Sequence, residues 1–517
     1  MSEQVSKYSD NRVDLKIVGI PKNPVVSVPK LDVVGGAARA YESRTYANGG
    51  VVVVSRQRAA EIAVNRFFRR GVDVVEVGEY SNGDYDLLTL IGTDGHEVRV
   101  NGRRIGAVDN KVGFIGSVVR RKKVGVMATH EQDERLVNLA RAWGVQYPEN
   151  FRVFKDTTCK SGLNRAIDAY RTENPGSCLF AFGRIFQGYD GLVAEVMRLA
   201  NHGEGAYIKL DFAPQGQVNA GGQGQLALPR GLSEDEIKNK LDGLVGSGKY
   251  GNEVPLSGVV QLMVPNPDIL SISSGQNDKG EYVVYEAHYQ TQDGNTAAGA
   301  LPLPDTPYAR FLMQDLWPEL ARFYRRQGIT GRQNMNFIVI PEELHTKARY
   351  IYGEPQMPNV MPIDLNYRAI SGTLNAMARY EEETRRRIDF RNFCSGGIKV
   401  DPFYAANPHL LYAAAAELGL RAGVGGDFAV INMGTFEQDS LRIRPYFKTQ
   451  VLVNAVEDSD GAVRRLEQVV GVKPDRETVA GYRRLGYDCF TLEEAESMEE
   501  GRYAEKIYGN LAKIVRS

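Results

Sequence analysis

The sequence predicts an α/β protein of several domains, and three observations support this fold class. The chain has 517 residues, and because a domain usually holds about 150 residues, three or four structural units are expected. Hydrophobic residues make up 43% and charged residues 25% of the chain, which is typical of a folded globular protein. In the first 150 residues, short β-branched runs alternate with helical stretches, an order that predicts a parallel sheet covered by helices.

The elements of the first part follow from the spacing of apolar residues. A run of four valines, Val51–Val54, predicts a buried strand. The pattern that surrounds it predicts a helix over 57–69, a strand over 72–77, a hairpin within 92–106, a strand over 123–128 and a helix over 131–143. Two strands separated by a helix suit parallel pairing, which needs a crossover connection.

The second part of the chain repeats this mixture of strands and helices. Residues 151–205 form a short mixed segment that ends in a helix near 192–200, and a strand over 206–210 runs into a glycine-rich stretch at 215–225. Further on, the patterns predict helices over 233–243, 306–327, 374–389, 405–421 and within 492–513, and strands over 258–264, 335–340, 360–365 and within 441–455.

Charge and cysteine content exclude several classes of protein. The net charge is -1, from 63 basic and 64 acidic residues, so no nucleic-acid or membrane-surface partner is expected. No apolar run approaches the roughly 20 residues of a membrane helix, and the polar first residues lack the apolar centre of a signal peptide. The four cysteines are scattered and form no CxxC pair. A cytoplasmic protein is expected.

A lysine followed by a glycine-rich loop is the first candidate for a binding site. Lys209 ends a predicted strand and is positioned to reach phosphates as a fixed cation. The loop 219–224 contains Gly221, Gly222 and Gly224, and its backbone N–H groups can wrap phosphates because glycine has no Cβ. The loop matches neither the Walker nor the dinucleotide-binding pattern. A glycine-rich surface loop without a ligand is therefore an equally good interpretation of this segment alone.

Lys160, in the stretch Cys159-Lys160-Ser161-Gly162, is a second candidate for phosphate binding. A single lysine in a loop is usually only solvated. Its sequence context resembles the segment before the first ATP-binding lysine of ATP-grasp enzymes, and this resemblance implies that Lys160 and Lys209 hold the phosphates together.

The segment 261–268 follows an apolar strand and resembles the hinge of ATP-grasp enzymes such as D-alanine–D-alanine ligases. The resemblance implies that Gln261 accepts a hydrogen bond from the adenine amino group, where the family usually has Glu. It also implies that Leu262 C=O and Val264 N–H contact the adenine edge and that Asp268 holds the ribose. A buried strand that ends in a proline turn is the alternative interpretation.

A polar alternation in a strand gives the strongest signal for chemistry. Asp364, Asn366 and Arg368 are two residues apart, so they project from one face. A carboxylate and an amide oxygen suit Mg²⁺, and an arginine suits the negative charge of a phosphate or an acyl phosphate. The pattern resembles the acid-x-Asn-x-Arg motif of ATP-grasp enzymes. The preceding strand has Asn336 where that family usually has Asp, so the number of metal ions stays open, with Glu342 or Glu343 as possible compensation.

The order of these motifs resembles the pheganomycin-type peptide ligases of the ATP-grasp superfamily. The resemblance implies a pre-ATP-grasp α/β domain over 1–150 and an ATP-grasp domain of two α+β subdomains over 151–424, with a lid over 205–257. Residues 425–517 either complete that domain or form an extension.

The resemblance implies a ligase that uses ATP and Mg²⁺ to activate a carboxylate as an acyl phosphate and couple it to an amine, such as an amino acid or a peptide. The catalytic residues would be Lys209 and Arg368. Arg310 and Arg332 are candidates for binding a substrate carboxylate, and His288 and His345 lie near the expected site. An ATP-grasp kinase and a catalytically weakened nucleotide-binding protein remain alternatives, and a homo-oligomer is left open.

Overall fold

The computed structural model describes the following residues: 25–28, 50–55, 72–78, 87–93, 95, 97–129, 134–147, 153, 157–212, 224–246, 250, 253–276, 280–293, 296–303, 305–367, 380–381, 383–386, 388, 392–430, 435–436, 443–444, 448–454, 458–498, 506–507 and 509–510. Among the helices in this part of the chain, none combines the length and the apolar character required to span a bilayer. The predicted helix over 57–69 lies outside the described residues.

A six-stranded mixed sheet forms the N-terminal part of the molecule. Its strands are β1 (Val25–Val28), β2 (Val51–Val54), β3 (Asp73–Glu76), β4 (Glu97–Val100), β5 (Arg103–Ala107) and β6 (Val126–Thr129). They lie in the order β5-β4-β3-β2-β1-β6, in which β3, β2, β1 and β6 are parallel. The predicted hairpin is the antiparallel pair of β4 and β5.

Three described helices cover this sheet and complete its core. They are α1 (Leu87–Gly92), α2 (Lys111–Arg121) and α3 (Glu134–Trp143). Ile115 of α2 and Trp143 of α3 are almost fully buried, and they pack with the valines of β2 and β3. The predicted helix over 131–143 is confirmed by α3, and burial of its apolar stripe accounts for its position.

A four-stranded antiparallel sheet follows. Its strands are β7 (Arg184–Gln187), β8 (Ala206–Leu210), β9 (Gln225–Leu228) and β10 (Ser257–Leu262), in the order β7-β10-β8-β9. The helices of this region are α4 (Lys160–Glu173), α5 (Gly188–Asn201) and α6 (Glu234–Val245). The sequence interpretation placed Lys160 in a loop, whereas the structure has it as the first residue of α4. The helix forms because Leu163, Ile167 and Tyr170 are spaced to bury one face.

An eight-stranded antiparallel sheet forms the largest layer. Its strands are β11 (Asp268–Gln276), β12 (Tyr282–Asp293), β13 (Thr296–Pro302), β14 (Arg332–Val339), β15 (Val360–Tyr367), β16 (Cys394–Lys399), β17 (Phe428–Val430) and β20 (Lys448–Val453), in the order β15-β14-β11-β12-β13-β16-β20-β17. A separate pair consists of β18 (Thr435–Phe436) and β19 (Ile443–Arg444). Two strands of the C-terminal region therefore belong to the same sheet as β11.

The remaining helices cover this sheet or follow it. They are α7 (Pro307–Phe311), α8 (Trp317–Gln327), α9 (Glu342–Tyr352), α10 (Pro402–Ala406), α11 (Leu410–Glu417), α12 (Ser459–Val470), α13 (Arg476–Arg484) and α14 (Leu492–Ser497), with a π-helical turn (Leu312–Leu316) between α7 and α8. The single helix predicted over 405–421 is wrong, because the structure has α10 and α11 there. Pro408 lacks an N–H and disfavours helical backbone at the residue before it, so the helix breaks. Most of the predicted helix over 374–389 lies outside the described residues.

The two antiparallel sheets share one apolar core next to the segment that joins β10 to β11. Leu262, the last residue of β10, and Val264 of the joining segment are buried together with Ile269, Ile338 and Met361 of the larger sheet. This packing fixes the sheets against each other where the chain crosses between them.

An ion-pair clamp joins the smaller sheet to α9. The Glu204 carboxylate is almost inaccessible to solvent and lies 2.5 Å from the Arg230 guanidinium and 2.8 Å from the Lys347 ammonium, while both cations are about half-exposed. We expect Glu204→Gln to lower the free energy of unfolding by about 2 kcal/mol, since a buried carboxylate loses its charge-assisted partners. Urea unfolding measures this change. The exposed pair of Glu234 and Lys238 gives the control, because Glu234→Gln should change stability by under about 0.5 kcal/mol. An equal loss of unfolding free energy in both variants would contradict a stabilising role for the ion pairs of Glu204.

Candidate active site

A row of polar residues crosses the eight-stranded sheet. Asp364 of β15 lies opposite Asn336 of β14, which in turn lies opposite Ser271 of β11. The Ser271 hydroxyl donates a 3.0 Å hydrogen bond to Asn336 Oδ1. Ser271 is fully buried, whereas about a quarter of the Asp364 side chain (26%) is exposed. The row therefore ends at a carboxylate that a ligand can reach.

A second polar row runs beside the first, one pleat along the strands. Asn366 lies opposite Asn334, and Asn334 lies opposite Ser273. Asn334 Nδ2 donates to the hydroxyls of Ser273 (3.0 Å) and Ser271 (2.7 Å), and Asn366 Nδ2 donates to Asn334 Oδ1 (3.5 Å). The predicted metal ligands thus belong to a network of amides and hydroxyls. Asn334 and the serines were not predicted, although the Asn-x-Asn alternation in β14 was a usable signal.

The two predicted phosphate lysines meet at the Asp364 end of the first row. Lys160 forms an ion pair with the Asp364 carboxylate. Lys209, on β8, donates a 3.3 Å hydrogen bond to the backbone carbonyl of Ile363, next to Asp364. Lys160 and Lys209 are both far from β15 in the sequence, and both side chains are largely buried. The structure therefore gathers two cations around one reachable carboxylate.

Burial changes the acid–base behaviour of Lys209. Loss of hydration lowers the pKa of Lys209 to about 8, with a further lowering from the Lys160 ammonium and an opposing, raising effect from the Asp364 carboxylate. Its neighbour Tyr207 stays neutral, because burial and the Asp364 charge raise the pKa of that phenol to about 12. Lys209 therefore loses its positive charge near pH 8, a pH at which binding can be measured.

The predicted role of Lys209 in phosphate binding, combined with this pKa, implies that the binding depends on pH. Below about pH 8 Lys209 carries its proton and attracts phosphate, and above it the free protein must take up a proton to bind. We expect the affinity for ATP to fall about tenfold between pH 7 and pH 9. Calorimetric titration across this range measures the effect. Lys209→Arg should flatten the profile, because guanidinium keeps its charge throughout. An equally steep profile in that variant would assign the effect to another group.

The connection between the two sheets contains the predicted hinge. Gln261 is almost fully buried on β10, and its Nε2 donates a 2.9 Å hydrogen bond to the Phe182 carbonyl. The Leu262 N–H donates to the Tyr352 hydroxyl (2.8 Å), and the Met263 N–H donates to the Gly205 carbonyl (3.0 Å). The hinge backbone is therefore held from two sides, by α9 and by the turn that leads into β8. Contact of Leu262 and Val264 with adenine stays a prediction.

Asp268, the predicted ribose ligand, opens β11 and is exposed. Its carboxylate accepts a 2.9 Å hydrogen bond from the Tyr289 hydroxyl. Strand alternation puts Asp268 on the face of Leu270, opposite to the face that carries Ser271. Ribose binding by Asp268 stays a prediction, and Tyr289 is the group with which the ribose would share this carboxylate.

Three predicted residues lie outside the described part of the chain, namely Gly221, Gly222 and Arg368. Gly224 is described at the start of the segment leading into β9. Its carbonyl accepts a 2.9 Å hydrogen bond from the Leu210 N–H, and its φ of 64° is one that glycine adopts without strain. The base of the glycine-rich loop is thus anchored to β8 directly after Lys209.

The remaining candidates differ in their surroundings. Arg310 forms an exposed ion pair with Asp305, and its binding of a substrate carboxylate stays a prediction. His345 is buried with its Nε2 2.7 Å from the Met357 carbonyl, which indicates a structural role. His288 lies opposite Ser271 in the first polar row and is buried. Arg332 lies in β14 opposite Gly275, and its side chain is outside the description.

The oxygen atoms at this site fit a magnesium ion that arrives with a nucleotide. In the described residues no cluster of three or more His, Cys, Asp or Glu forms a cage for a metal. Mg²⁺ does not need one, because it keeps several waters and is usually bound by one or two side chains together with phosphates. Asp364 would supply the charge, and Asn366 would supply an amide oxygen. Asn336 fits less well, since its oxygen already accepts a hydrogen bond from Ser271.

Sequence comparison finds no relatives, whereas structural comparison finds many. No protein-family model matches the chain, and no curated protein is significantly similar in sequence. The chain is similar to an N5-carboxyaminoimidazole ribonucleotide synthetase (purK) solved with ADP, with a TM-score of 0.50 and 10% identity over 87% of this chain and 97% of the other. It is also similar to the N5-carboxyaminoimidazole synthetase of Staphylococcus aureus, with a TM-score of 0.50 and 7% identity over 87% and 99%.

A third solved structure is the biotin carboxylase domain of the Hydrogenobacter thermophilus 2-oxoglutarate carboxylase, with a TM-score of 0.49 and 12% identity over 91% of this chain and 96% of the other. At 10% and 7% identity, the similarity to the two synthetases establishes the fold alone. The predicted fold class, an N-terminal α/β domain followed by an ATP-grasp fold, is confirmed.

Proposed function

We propose that this chain, which has the fold of ATP-grasp enzymes, is an ATP-dependent ligase that joins a carboxylate to an amine. The observation that supports it best is the gathering of Lys160 and Lys209 around the reachable carboxylate of Asp364. Two buried cations beside one carboxylate and an amide network suit a triphosphate with its metal ion. The hinge near Gln261 lies at the other end of β10 and β8, where the purine would bind.

The side chains of the site would act by position and charge. Lys160 and Lys209 would neutralise the phosphates, and Lys160 would exchange its contact with Asp364 for one with a phosphate oxygen. Bound Mg²⁺, held by Asp364 and Asn366, would neutralise charge on the phosphate that is transferred. The substrate carboxylate attacks the γ-phosphorus, ADP leaves, and the amine then displaces phosphate from the acyl phosphate. Such chemistry depends on alignment and electrostatic stabilisation and needs no covalent nucleophile from the protein.

The glycine-rich loop and Arg368 complete this proposal. Gly221, Gly222 and Gly224 would let the backbone approach the phosphates closely. Arg368 would stabilise the negative charge that develops on the acyl phosphate. We assign the amine to an amino acid or a peptide, on the resemblance of the motif order to pheganomycin-type peptide ligases. The two synthetases of similar fold are named for N5-carboxyaminoimidazole compounds and not for peptides.

Phosphate release in the presence of ATP, Mg²⁺ and a panel of amino acids and short peptides tests the proposal. We expect ADP and phosphate to appear only when a carboxylate and an amine are both present, and mass spectrometry should detect a new amide bond. A stable phosphorylated product without an amide would instead indicate a kinase. Binding of ATP without hydrolysis across the whole panel would indicate a nucleotide-binding protein with weakened chemistry. Release of AMP and pyrophosphate would contradict the acyl-phosphate route.

A further inference from the structure

A cavity of about 950 Å³ lies at the end of the smaller sheet that is farther from the hinge. The strands β7 and β8 end there and β10 begins there, and Asp211 and Ser257 line the cavity at these strand ends. Lys160, Lys209 and Asp364, which form the predicted phosphate site, are not among its lining residues. A cavity of this size can hold a small organic molecule.

The helix α4 separates this cavity from the phosphate site. Gly162, Arg165 and Ala166 line the cavity, and their spacing of three and four residues puts them on one face of the helix. Lys160 is two residues before Gly162, and at about 100° per residue it lies on the other side of the helix, about 200° away. There it contacts Asp364. The cavity and the phosphate site therefore lie on opposite sides of one helix.

The hydroxyl protons on the cavity wall are already used within the protein. Ser161 and Ser257 both donate to the Asp211 carboxylate, at 2.5 Å and 2.8 Å, and Asp211 is only 2% exposed. Every described hydroxyl group of the lining donates to a protein group in this way, namely those of Thr157, Ser161, Tyr189, Tyr250 and Ser257. Such a hydroxyl offers a ligand only its oxygen, as an acceptor. A negatively charged ligand must therefore find its donors elsewhere on the wall.

Arg165 supplies a positive charge on this wall. It is exposed, and it forms no ion pair or hydrogen bond with the residues that the structure describes. Burial and the Asp211 carboxylate raise the pKa of the Cys159 thiol, which also lines the cavity, and the Arg165 charge opposes them. The guanidinium offers paired N–H groups whose geometry matches a carboxylate. One positive charge close to Asp211 suits a singly charged carboxylate better than a doubly charged phosphate.

Much of the remaining wall is apolar or aromatic. Because the hydroxyls of Tyr189 and Tyr250 bind protein groups, the rings are what these residues offer to a ligand. The hydrogen bond to Asp242 raises the pKa of Tyr189 to about 12, and burial raises the pKa of Tyr250, so neither phenol adds a negative charge. The apolar and aromatic lining residues are Tyr189, Phe212, Val245, Tyr250, Pro255 and Leu256. Such a wall suits an aromatic ligand body.

We propose that this cavity is a second small-molecule site, separate from the predicted nucleotide site, and that it binds a carboxylate with an aromatic body. Arg165 pairs with the carboxylate, and the rings of Tyr189 and Tyr250 contact the aromatic body. The bound molecule lies against the helix that carries Lys160 without taking the place of ATP. The proposal does not depend on the proposed function.

Ligand-observed NMR titration of the full-length protein with N-acetyl-tryptophan and its uncharged analogue N-acetyl-tryptophanamide tests this proposal. We expect the wild type to bind the acid about tenfold more tightly than the amide, because the acid alone forms a charge-assisted pair with Arg165. Arg165→Gln should remove this preference, and Arg165→Lys should keep part of it, since the charge stays and the paired N–H geometry is lost. Saturating MgATP should not displace the acid.

Tyr250→Ala tests the aromatic wall separately. It should weaken the binding of the acid and of the amide by the same factor, about fivefold, and leave their ratio unchanged. Arg464→Gln is the matched control, because it removes an exposed helical arginine that is far from the cavity in sequence. It should keep the wild-type ratio.

An unchanged ratio of the two affinities in Arg165→Gln would overturn the proposal. Displacement of the acid by MgATP would overturn it as well, and so would a wild type that showed no saturable binding of the acid. Arg165 is exposed, so its variants decide the matter even if Tyr250→Ala fails to fold. A protein that bound the acid in this way but did not bind MgATP would contradict the proposed function alone.

Discussion

Asp364→Asn is expected to lower kcat about a thousandfold, a loss of roughly 4 kcal/mol in transition-state stabilisation. Asparagine has nearly the same shape, so the change removes charge and little else. Asp364 is the carboxylate that pairs with Lys160, next to the Ile363 carbonyl that Lys209 contacts. The neighbouring positions of the polar rows, Asn336 and Asn366, carry uncharged amides. With an amide at 364, an incoming Mg²⁺ would meet no negative protein charge at this end of the rows. The half-saturating Mg²⁺ concentration should therefore rise together with the loss in kcat.

Steady-state phosphate release at several Mg²⁺ concentrations measures both effects. Asp460→Asn is a suitable control, since Asp460 forms an exposed helical ion pair with Arg464, and its loss should leave kcat within about twofold of the wild type. If Asp364→Asn kept full turnover at the same Mg²⁺ requirement, the metal assignment at this strand would be wrong.

Lys209→Met should produce the second large effect, a fall in kcat/KM for ATP of about 100- to 1,000-fold. Methionine keeps the length of the side chain and removes its charge. Because burial already lowers the pKa of Lys209 to about 8, the folded protein bears a cost for keeping this cation out of water. The methionine variant should therefore be at least as stable as the wild type in urea, although its activity is lost.

A variant that keeps its stability while it loses activity distinguishes a catalytic role of Lys209 from a structural one. Lys238→Met serves as the control, because Lys238 is an exposed helical residue paired with Glu234. It should change neither stability nor activity beyond about 0.5 kcal/mol. A Lys209→Met protein that lost stability and activity in parallel would indicate that Lys209 supports the fold and has no specific role at the phosphates.

Local patterns were enough to predict the parts of the site that single strands carry. The strand predicted over 206–210 is found at these residues and carries Lys209. Asp364 and Asn366 lie on β15, which contains the strand predicted over 360–365. Both strands were predicted from their pattern of apolar and polar residues, which a short window of sequence contains. The confirmed fold class rests on the same kind of information, since the order of strands and helices is readable along the chain.

The parts that depend on contacts between distant segments were not predictable in this way. Gln261 and Asn164 both donate to the Phe182 carbonyl, a backbone group that leaves no mark in the sequence. Ser271 belongs to the polar network because β11 pairs with β14, a pairing set by the sheet as a whole. The break between α10 and α11 could have been predicted from the sequence, because Pro408 marks it. The single helix was predicted because the alanine-rich pattern was given more weight than this proline.

The eight-stranded sheet determines how this protein must fold. Asp364 and Asn366 lie on β15 at one end of the strand order, and β17 and β20 lie at the other. The neighbours β13 and β16 join segments that are far apart in sequence, as do β16 and β20. Such nonlocal pairings close large loops. Because the chain loses the entropy of loop closure before the paired strands stabilise it, we expect folding to be slow. The polar rows are in register once β11, β14 and β15 have paired, whereas a nascent chain that ends before β20 cannot yet complete the sheet to which these strands belong.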